Sequence, residues 1–309
     1  CGVFSGKRYI VPLDYTLNAF ITSEELLRKN GVSINAQDFD MNRLADTLRT
    51  FMKRDKNTRA EFFFTLQYSF YEYVLSSGIY FVDYEKSKAD FDTPEFKKLL
   101  NEYRDVFVKV SADNEARLKY GVKYWEMMKG NTAIADSELH SIQDVWVANS
   151  FINGIFKTEG RVYPLPPYSK TGCYIAEPYS MAAINNNSKN KTIAFDIVKF
   201  MLAKDLQMDN TFIPVSEEAY EELIKKYAGS EGENQSYNIK GSQLNTIAIS
   251  EDLTGDLRNI KAGMLKCIIT DDYINKVMDD AAQKFVDGEY SEDQVINEIN
   301  SKIMLYLNE

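Results

Sequence analysis

The pattern of apolar and polar positions alternates between short runs typical of strands and longer stretches with helical spacing. The predicted strands are 8–13, 132–135, 161–165 and 179–184. The predicted helices, with apolar residues every three or four positions, are 40–54, 94–110, 191–206 and 216–227. Short strands that alternate with longer helices favour an α/β fold over a helical bundle or a β-sandwich.

Capping residues indicate where several helices begin. Thr93 stands before Pro94, which is favoured in the first turn of a helix. Ser291 is followed three positions later by Gln294, the pattern of a capping box. The stretch 229–243 is polar and contains glycine, so we expect a loop there.

Composition narrows the classes of function. The 309 residues are enough for two lobes with separate cores. A formal net charge of −10 argues against a nucleic-acid partner, because phosphate binding needs clustered Lys and Arg. No stretch approaches the roughly 18 apolar residues of a membrane-spanning helix. The 20 Tyr and 18 Phe build core by default, but tyrosine rings also form platforms for sugar faces.

Three cysteines and one histidine limit the chemistry. Cys1, Cys173 and Cys267 have the spacing neither of a disulfide framework nor of a zinc site. With His140 as the one histidine, a two-histidine metal site is excluded, and we expect no metal and no cofactor. Cys1 followed by Gly2 has two interpretations: the acylated first residue of a mature bacterial lipoprotein, or an ordinary residue.

Four patches occur in one order along the chain. They are Gly6–Leu13, Lys129–Ile134, Tyr179–Lys191, and Phe285–Ser291 with the last predicted helix. Together they resemble the extracellular solute-binding proteins of ABC importers, family 1, a large family that mostly captures sugars. The resemblance covers nearly the whole chain. It implies an α/β, helix-rich fold with two lobes, of the type II periplasmic-binding-protein class.

The resemblance also implies how the chain divides. Residues 1–172 and 249–309 are expected to form the C-terminal lobe, and residues 173–248 a segment of the N-terminal lobe. Members normally carry a longer segment before the Gly-Lys motif, so the N-terminal lobe is expected to be incomplete here. Such a lobe would expose apolar surface and an unpaired strand edge. A fragment, a truncated gene product and a fold that covers this lobe in another way all stay open.

The ligand site is expected beyond the carboxyl ends of strands, as in other α/β folds. In the family, the polar-aromatic turn of the opening motif touches the ligand, and an aromatic segment further along supplies a stacking ring. The residues expected to stack on the ligand are Tyr15, Tyr68, Tyr174 and Tyr179. The residues expected to hydrogen-bond it are Asn18, Glu138, His140 and Glu177.

The function implied is that of a receptor, not an enzyme. It would capture a sugar or oligosaccharide between two lobes and deliver it to the permease subunits of an ABC importer. We expect a monomer at the extracellular face of the bacterial cytoplasmic membrane or in the periplasm, with membrane contact only through a lipid anchor at Cys1. Two alternatives stay open. One is a glycoside hydrolase lipoprotein, in which Glu138 and Glu177 would face one another. The other is a truncated surface interaction protein without a ligand.

Overall fold

The elements are short strands and longer helices in both halves of the chain. The computed structural model describes residues 2–4, 6–35, 39–65, 68–112, 130–164, 174–209, 212–229, 235–239, 242–267 and 270–309. The described strands are β1 (Val3–Phe4), β2 (Lys7–Arg8), β3 (Val11–Pro12), β4 (Asp14–Tyr15), β5 (Leu17–Thr22), β6 (Val82–Asp83), β7 (Lys88–Ala89), β8 (Ala135–Leu139), β9 (Arg161–Pro164), β10 (Tyr174–Ala176), β11 (Met181–Ala182), β12 (Ile213–Pro214), β13 (Ser236–Ile239), β14 (Ser242–Asn245) and β15 (Met264–Cys267). The described helices are α1 (Glu24–Lys29), α2 (Met41–Lys53), α3 (Phe70–Ser76), α4 (Pro94–Glu102), α5 (Val108–Val110), α6 (Ile142–Phe156), α7 (Lys191–Met201), α8 (Lys204–Met208), α9 (Glu217–Ala228), α10 (Glu251–Gly263), α11 (Asp272–Val286) and α12 (Glu292–Leu307).

Contacts within the chain divide it into two compact units. Unit 1 comprises residues 1–25, 136–165 and 173–269, and unit 2 comprises residues 26–135, 166–172 and 270–309. The start of the chain joins unit 1 because β5 pairs with β9 and β3 pairs with β11. The predicted lobes differ from these units, since they keep residues 1–172 together. Which unit corresponds to which lobe stays a prediction.

Unit 1 is built around a three-stranded sheet in the order β8-β5-β9. β5 and β9 run antiparallel, from the pair Ala19 and Pro164 to the pair Thr22 and Arg161. Helix α6 begins with a capping box, in which Ser141 accepts from the backbone N–H of Asp144. The helix follows β8 closely, since β8 ends at Leu139 and α6 begins at Ile142.

An ion pair fixes β9 against α10 in unit 1. The Arg161 guanidinium donates to both carboxylate oxygens of Asp256, with Nε–Oδ2 and Nη2–Oδ1 distances of 2.7 Å each. The Asp256 side chain is only 9% exposed. The hydrogen bond with Asp256 raises the Arg161 pKa, so the guanidinium keeps its charge.

Unit 2 is mainly helical, and aromatic rings fill its interior. The rings of Phe64, Phe107 and Tyr103 pack in a continuous series, with Phe64 and Phe107 centroids 5.0 Å apart. The predicted helix over residues 94–110 is interrupted by a π-helical turn, Tyr103–Phe107, between α4 and α5. This turn directs the Tyr103 hydroxyl to the backbone oxygen of Tyr68 at 2.9 Å.

Local signals were the most accurate predictors. The helices predicted from capping residues begin as expected, since Thr93 caps α4 and Ser291 forms a capping box with Gln294 at the start of α12. Two predictions are wrong. The strand predicted at 132–135 is found at Ala135–Leu139, and the loop predicted at 229–243 contains the antiparallel pair β13–β14.

Helix α7 was predicted as amphipathic, and it forms where expected. No residue of α7 is buried, however. Its large apolar side chains are exposed: Ile193, Phe195, Ile197 and Phe200. Helix α7 therefore presents its apolar side chains to solvent, and its amphipathic pattern does not correspond to a buried face.

Candidate functional site

Short strand pairs bring three distant segments of unit 1 together. β3 pairs with β11 through Pro12 and Met181, and β4 pairs with β12 through Tyr15 and Ile213. Each pairing is antiparallel, and each strand is only two residues long. The segments that follow or precede these strands therefore lie side by side, although they are far apart in the sequence.

Hydrogen bonds to the backbone hold the turn before β11 in place against β4 and the residue that follows it. Thr16 and Glu177 exchange two backbone hydrogen bonds of 2.8 and 2.9 Å. The Asp14 carboxylate, which is buried, accepts from the backbone N–H of Ser180 at 2.6 Å. The turn over residues 177–180 is thus fixed on both sides, and the side chain of Tyr179 projects from a fixed backbone.

The exposed ring of Tyr179 stacks on the partly exposed ring of Phe212. Their ring centroids lie 3.8 Å apart with an interplanar angle of 26°. His140, which follows β8, contacts Phe212 edge-on with a centroid distance of 5.8 Å. Because Phe212 covers one face of the Tyr179 ring while Tyr179 stays 59% exposed, the other face is open to solvent. We call Tyr179, Phe212 and His140 the aromatic site.

A buried amide supports the segment behind the aromatic site. Gln207 on α8 is 2% exposed. Its Nε2 donates to the backbone oxygens of Leu13 and Met201 at 2.9 and 3.0 Å, and its Oε1 accepts from the backbone N–H of Ser216 at 3.2 Å. One side chain therefore links three segments by hydrogen bonds: the residue after β3, the end of α7 and the residue before α9.

Tyr15 lies in the interior rather than at the surface. Its ring is 5% exposed, and the Lys261 ammonium lies 4.9 Å from the ring centroid. Lys261 also lies 5.1 Å from the ring centroid of Tyr220. Burial raises the pKa of Tyr15 and lowers the pKa of Lys261. The prediction placed Tyr15 against the ligand, whereas alternation along the chain turns this ring inward to the cation.

Tyr68 was also predicted to stack on the ligand, and its ring is 5% exposed. It belongs to unit 2, where Phe64 and Phe107 pack against it with centroid distances of 6.4 and 6.1 Å. The aromatic density of this segment, which suggested a stacking platform, forms the core of unit 2 instead. The structure therefore places neither Tyr15 nor Tyr68 at a surface that faces solvent.

The other predicted residues divide into two groups. Asn18 on β5 and Glu177 beside β10 are partly exposed, in the same unit as Tyr179 and His140. The backbones of Glu138 and Tyr174 belong to β8 and β10, but their side chains lie outside the described residues. Cys1 lies outside the described residues as well.

Phe212 is the member of the aromatic site that the sequence did not indicate. It begins a short apolar run that continues through Val215, directly after a polar stretch and directly before β12. Its contact with Tyr179 depends on the pairing of β12 with β4, which is not local in sequence. The one signal present was a short apolar run after a polar stretch, and such runs are common in cores and at surfaces alike.

The aromatic site presents one open aromatic face to solvent. Open aromatic faces of this kind pack on the C–H patches of polar solutes. Within the part of the chain that the structure describes, no group of three or more His, Cys, Asp or Glu residues is placed to hold a metal. None of the described helices has the length and apolarity needed to cross a bilayer.

Unit 2 carries a separate open cleft of about 610 Å³. Its lining includes Arg28, Arg43 and Asp46 together with the hydroxyls of Ser33 and Thr47. None of the residues predicted from the sequence to touch ligand lines this cleft.

Solved structures define the class of fold. The sugar-binding protein MalE from Xanthomonas citri aligns with a TM-score of 0.70 at 14% identity, over 99% of this chain and 72% of that one. The GacH receptor of Streptomyces glaucescens, solved without ligand and with acarbose, gives 0.60 at 14% identity over 100% and 73%. The ABC substrate-binding protein Lmo0181 from Listeria monocytogenes, solved with cycloalternan, gives 0.59 at 14% identity over 99% and 74%. The predicted α/β, helix-rich, two-lobe type II fold is confirmed.

The family follows from the sequence match. Residues 1–208 match the profile of the bacterial extracellular solute-binding proteins, and the chain belongs to this family. The resemblance inferred from the four patches is therefore confirmed. A search of curated proteins finds no match.

Proposed function

We propose that this chain is the solute receptor of an ABC importer, and that its ligand is a neutral sugar or oligosaccharide. The observation that most directly supports this ligand class is the Tyr179–Phe212 stack, in which one face of the tyrosine ring is covered and the other is open. The same ligand class is supported by the similar proteins, of which one is a sugar-binding protein and two were solved with acarbose and with cycloalternan. Delivery to a permease and an extracellular location, with Cys1 as a lipid anchor, complete the proposal.

The open face of Tyr179 is the proposed stacking surface. A pyranose presents an apolar C–H patch that packs on a tyrosine ring, while its hydroxyls need polar partners. Asn18, His140 and Glu177 are the proposed partners, and Glu138 and Tyr174 join them as candidates. Tyr15 and Tyr68 take supporting roles in this proposal, because their rings are buried.

Selectivity in such a site comes mainly from the polar groups. A site that hydrogen-bonds a hydroxyl strongly rejects an analogue that lacks it, since the buried polar group is then left unpaired. Micromolar binding needs about 8 kcal/mol of net free energy, which one stacked ring and several hydrogen bonds supply. No metal or covalent step is required, and we propose that the ligand leaves unchanged.

Isothermal titration calorimetry tests this proposal with maltotriose, cellotriose, xylotriose, glucose and galactose as probes. The wild type is expected to bind at least one probe. Tyr179→Ala is expected to weaken that binding at least tenfold, or about 1.4 kcal/mol. Tyr9→Ala is the matched control, because Tyr9 is also highly exposed, at 58%, and lies in the same unit. Equal losses in both variants would refute a specific role for Tyr179.

The same samples test the glycoside hydrolase alternative. We expect no new reducing ends after prolonged incubation with the oligosaccharides. Steady release of reducing ends, abolished by Glu177→Gln, would replace the receptor proposal with a hydrolase. Absence of both binding and turnover would favour a surface interaction protein.

A further inference from the structure

Unit 2 carries a second set of exposed aromatic rings, which no part of the proposed function uses. Tyr84 at the β6–β7 turn, Tyr273 at the start of α11 and Tyr306 near the end of α12 are 50%, 42% and 38% exposed. The rings of Tyr273 and Tyr306 stack with centroids 4.6 Å apart and an interplanar angle of 29°. We call these three residues and Asp271 the tyrosine platform.

The Asp271 carboxylate holds the tyrosines of the platform in place by hydrogen bonds. Its Oδ1 accepts from the backbone N–H groups of Tyr273 and Ile274, both at 3.1 Å, and so caps α11. Its Oδ2 accepts from the hydroxyls of Tyr84 and Tyr306 at 3.2 and 3.3 Å. One carboxylate therefore positions rings from a turn and from the ends of two helices.

The hydroxyls of Tyr84 and Tyr306 stay protonated at neutral pH. Burial, and then the charge of Asp271, raise the pKa of Tyr84. The charge of Asp271 is the main cause that raises the pKa of Tyr306. Both hydroxyls can therefore donate to Asp271 and keep oxygen lone pairs for a further donor.

The rings are arranged for contact with a molecule outside the chain. A tyrosine that only packs the core is buried, as Tyr71 is beneath the platform at 6% exposure. The stacked pair Tyr273–Tyr306 instead leaves outward ring surface and places hydroxyl oxygens beside it. Preorganised rings lose little conformational entropy on binding.

We propose that the tyrosine platform is a separate binding site for a neutral pyranose oligosaccharide. Apolar C–H patches of the sugar pack on the outward surface of the Tyr273–Tyr306 stack, and sugar hydroxyls donate to the hydroxyl oxygens of Tyr84 and Tyr306. Because the platform is open, its affinity is weak, on the order of millimolar. It lies in unit 2 and shares no residue with the aromatic site, so neither proposal depends on the other.

Saturation-transfer difference NMR with maltohexaose, cellohexaose and xylohexaose tests the platform, because the method detects millimolar binding. The experiment uses the full chain in a Tyr179→Ala/Phe212→Ala background, which removes the aromatic site. At least one hexaose is expected to give saturation transfer in this background. Adding Tyr273→Ala and Tyr306→Ala is expected to reduce the signal at least fivefold. Asp271 stays intact in every variant, so α11 keeps its cap.

Two further variants keep the result interpretable. Tyr84→Ala alone is expected to reduce the signal about threefold. This single variant tests the platform if the variant with both Tyr273→Ala and Tyr306→Ala fails to fold. Tyr9→Ala, an exposed tyrosine of unit 1, should leave the signal unchanged. Absence of signal from all three hexaoses, or a signal that survives both platform changes, would overturn the platform proposal. Binding lost in the starting background would not count against the aromatic site, which is tested separately.

Discussion

The aromatic clusters of the two units differ in what surrounds them. In unit 2, Phe64, Tyr68 and Phe107 are at most 5% exposed and pack mainly on one another. In unit 1, Tyr179 is 59% exposed and touches Phe212 on one face. Dense aromatic sequence therefore forms core in unit 2, while Tyr179 and Phe212, which have no aromatic residues beside them in the sequence, stay exposed and partly exposed.

Substitutions in the two clusters are expected to differ most in their effect on the free energy of unfolding. Phe107→Ala removes a fully buried ring from unit 2, and large-to-small changes of this kind cost about 3–5 kcal/mol. Phe212→Ala removes a partly exposed ring and is expected to cost about 1 kcal/mol or less. Urea unfolding followed by circular dichroism measures both. A loss for Phe212→Ala as large as that for Phe107→Ala would mean that Phe212 is core.

Unit 1 is expected to depend more on polar interactions than on rings. Asp256→Asn removes the charge that holds Arg161, and we expect a loss of about 1.5–3 kcal/mol. The matched control is Glu221→Gln, which breaks the more exposed pair with Arg258 and is expected to cost less than about 1 kcal/mol. Urea unfolding followed by circular dichroism measures the loss of unfolding free energy in both variants. Equal costs would show that the buried pair has no special role in unit 1.

A smaller effect, in unit 2, depends on pH. Hydrogen bonding from Lys302 lowers the pKa of Glu298 to about 2. A depressed pKa means that this contribution is present above pH 4.5 and is lost as pH falls toward 2. The difference in unfolding free energy between wild type and Glu298→Gln should therefore close over that range. Solvent screening keeps it below about 1 kcal/mol. A difference that is constant from pH 6 to pH 2.5 would contradict this origin.

Sequence reasoning was accurate where the determinant is local. The α12 boundary follows from Ser291 and Gln294, which lie one helical turn apart and bond to each other directly. The family motifs also predicted that Tyr179 contacts the ligand, which stays a prediction; its ring is exposed, as such a contact requires. Phe212 was missed because its contact with Tyr179 arises from strand pairing across the chain, and local composition does not encode that pairing.

Burial was the property that the sequence predicted least well. Tyr15 stands in a polar turn motif, yet strand pairing at Ile213 and the cation of Lys261 hold its ring in the interior. Helix α7 shows the opposite case, because Phe200 belongs to a clear amphipathic pattern and is 64% exposed. A periodic pattern predicts which residues share a face, but the neighbouring segments determine whether that face is covered.

The central claim is that the aromatic site binds a neutral sugar. It is tested most directly by the thermal unfolding midpoint of the wild type and of Phe212→Ala, each with and without 10 mM of the five calorimetry sugars. A ligand that binds only the native state raises the midpoint. We predict a rise for the wild type with at least one sugar and little or none for Phe212→Ala. An unchanged wild-type midpoint with every sugar, or an equal rise in the variant, would contradict the claim.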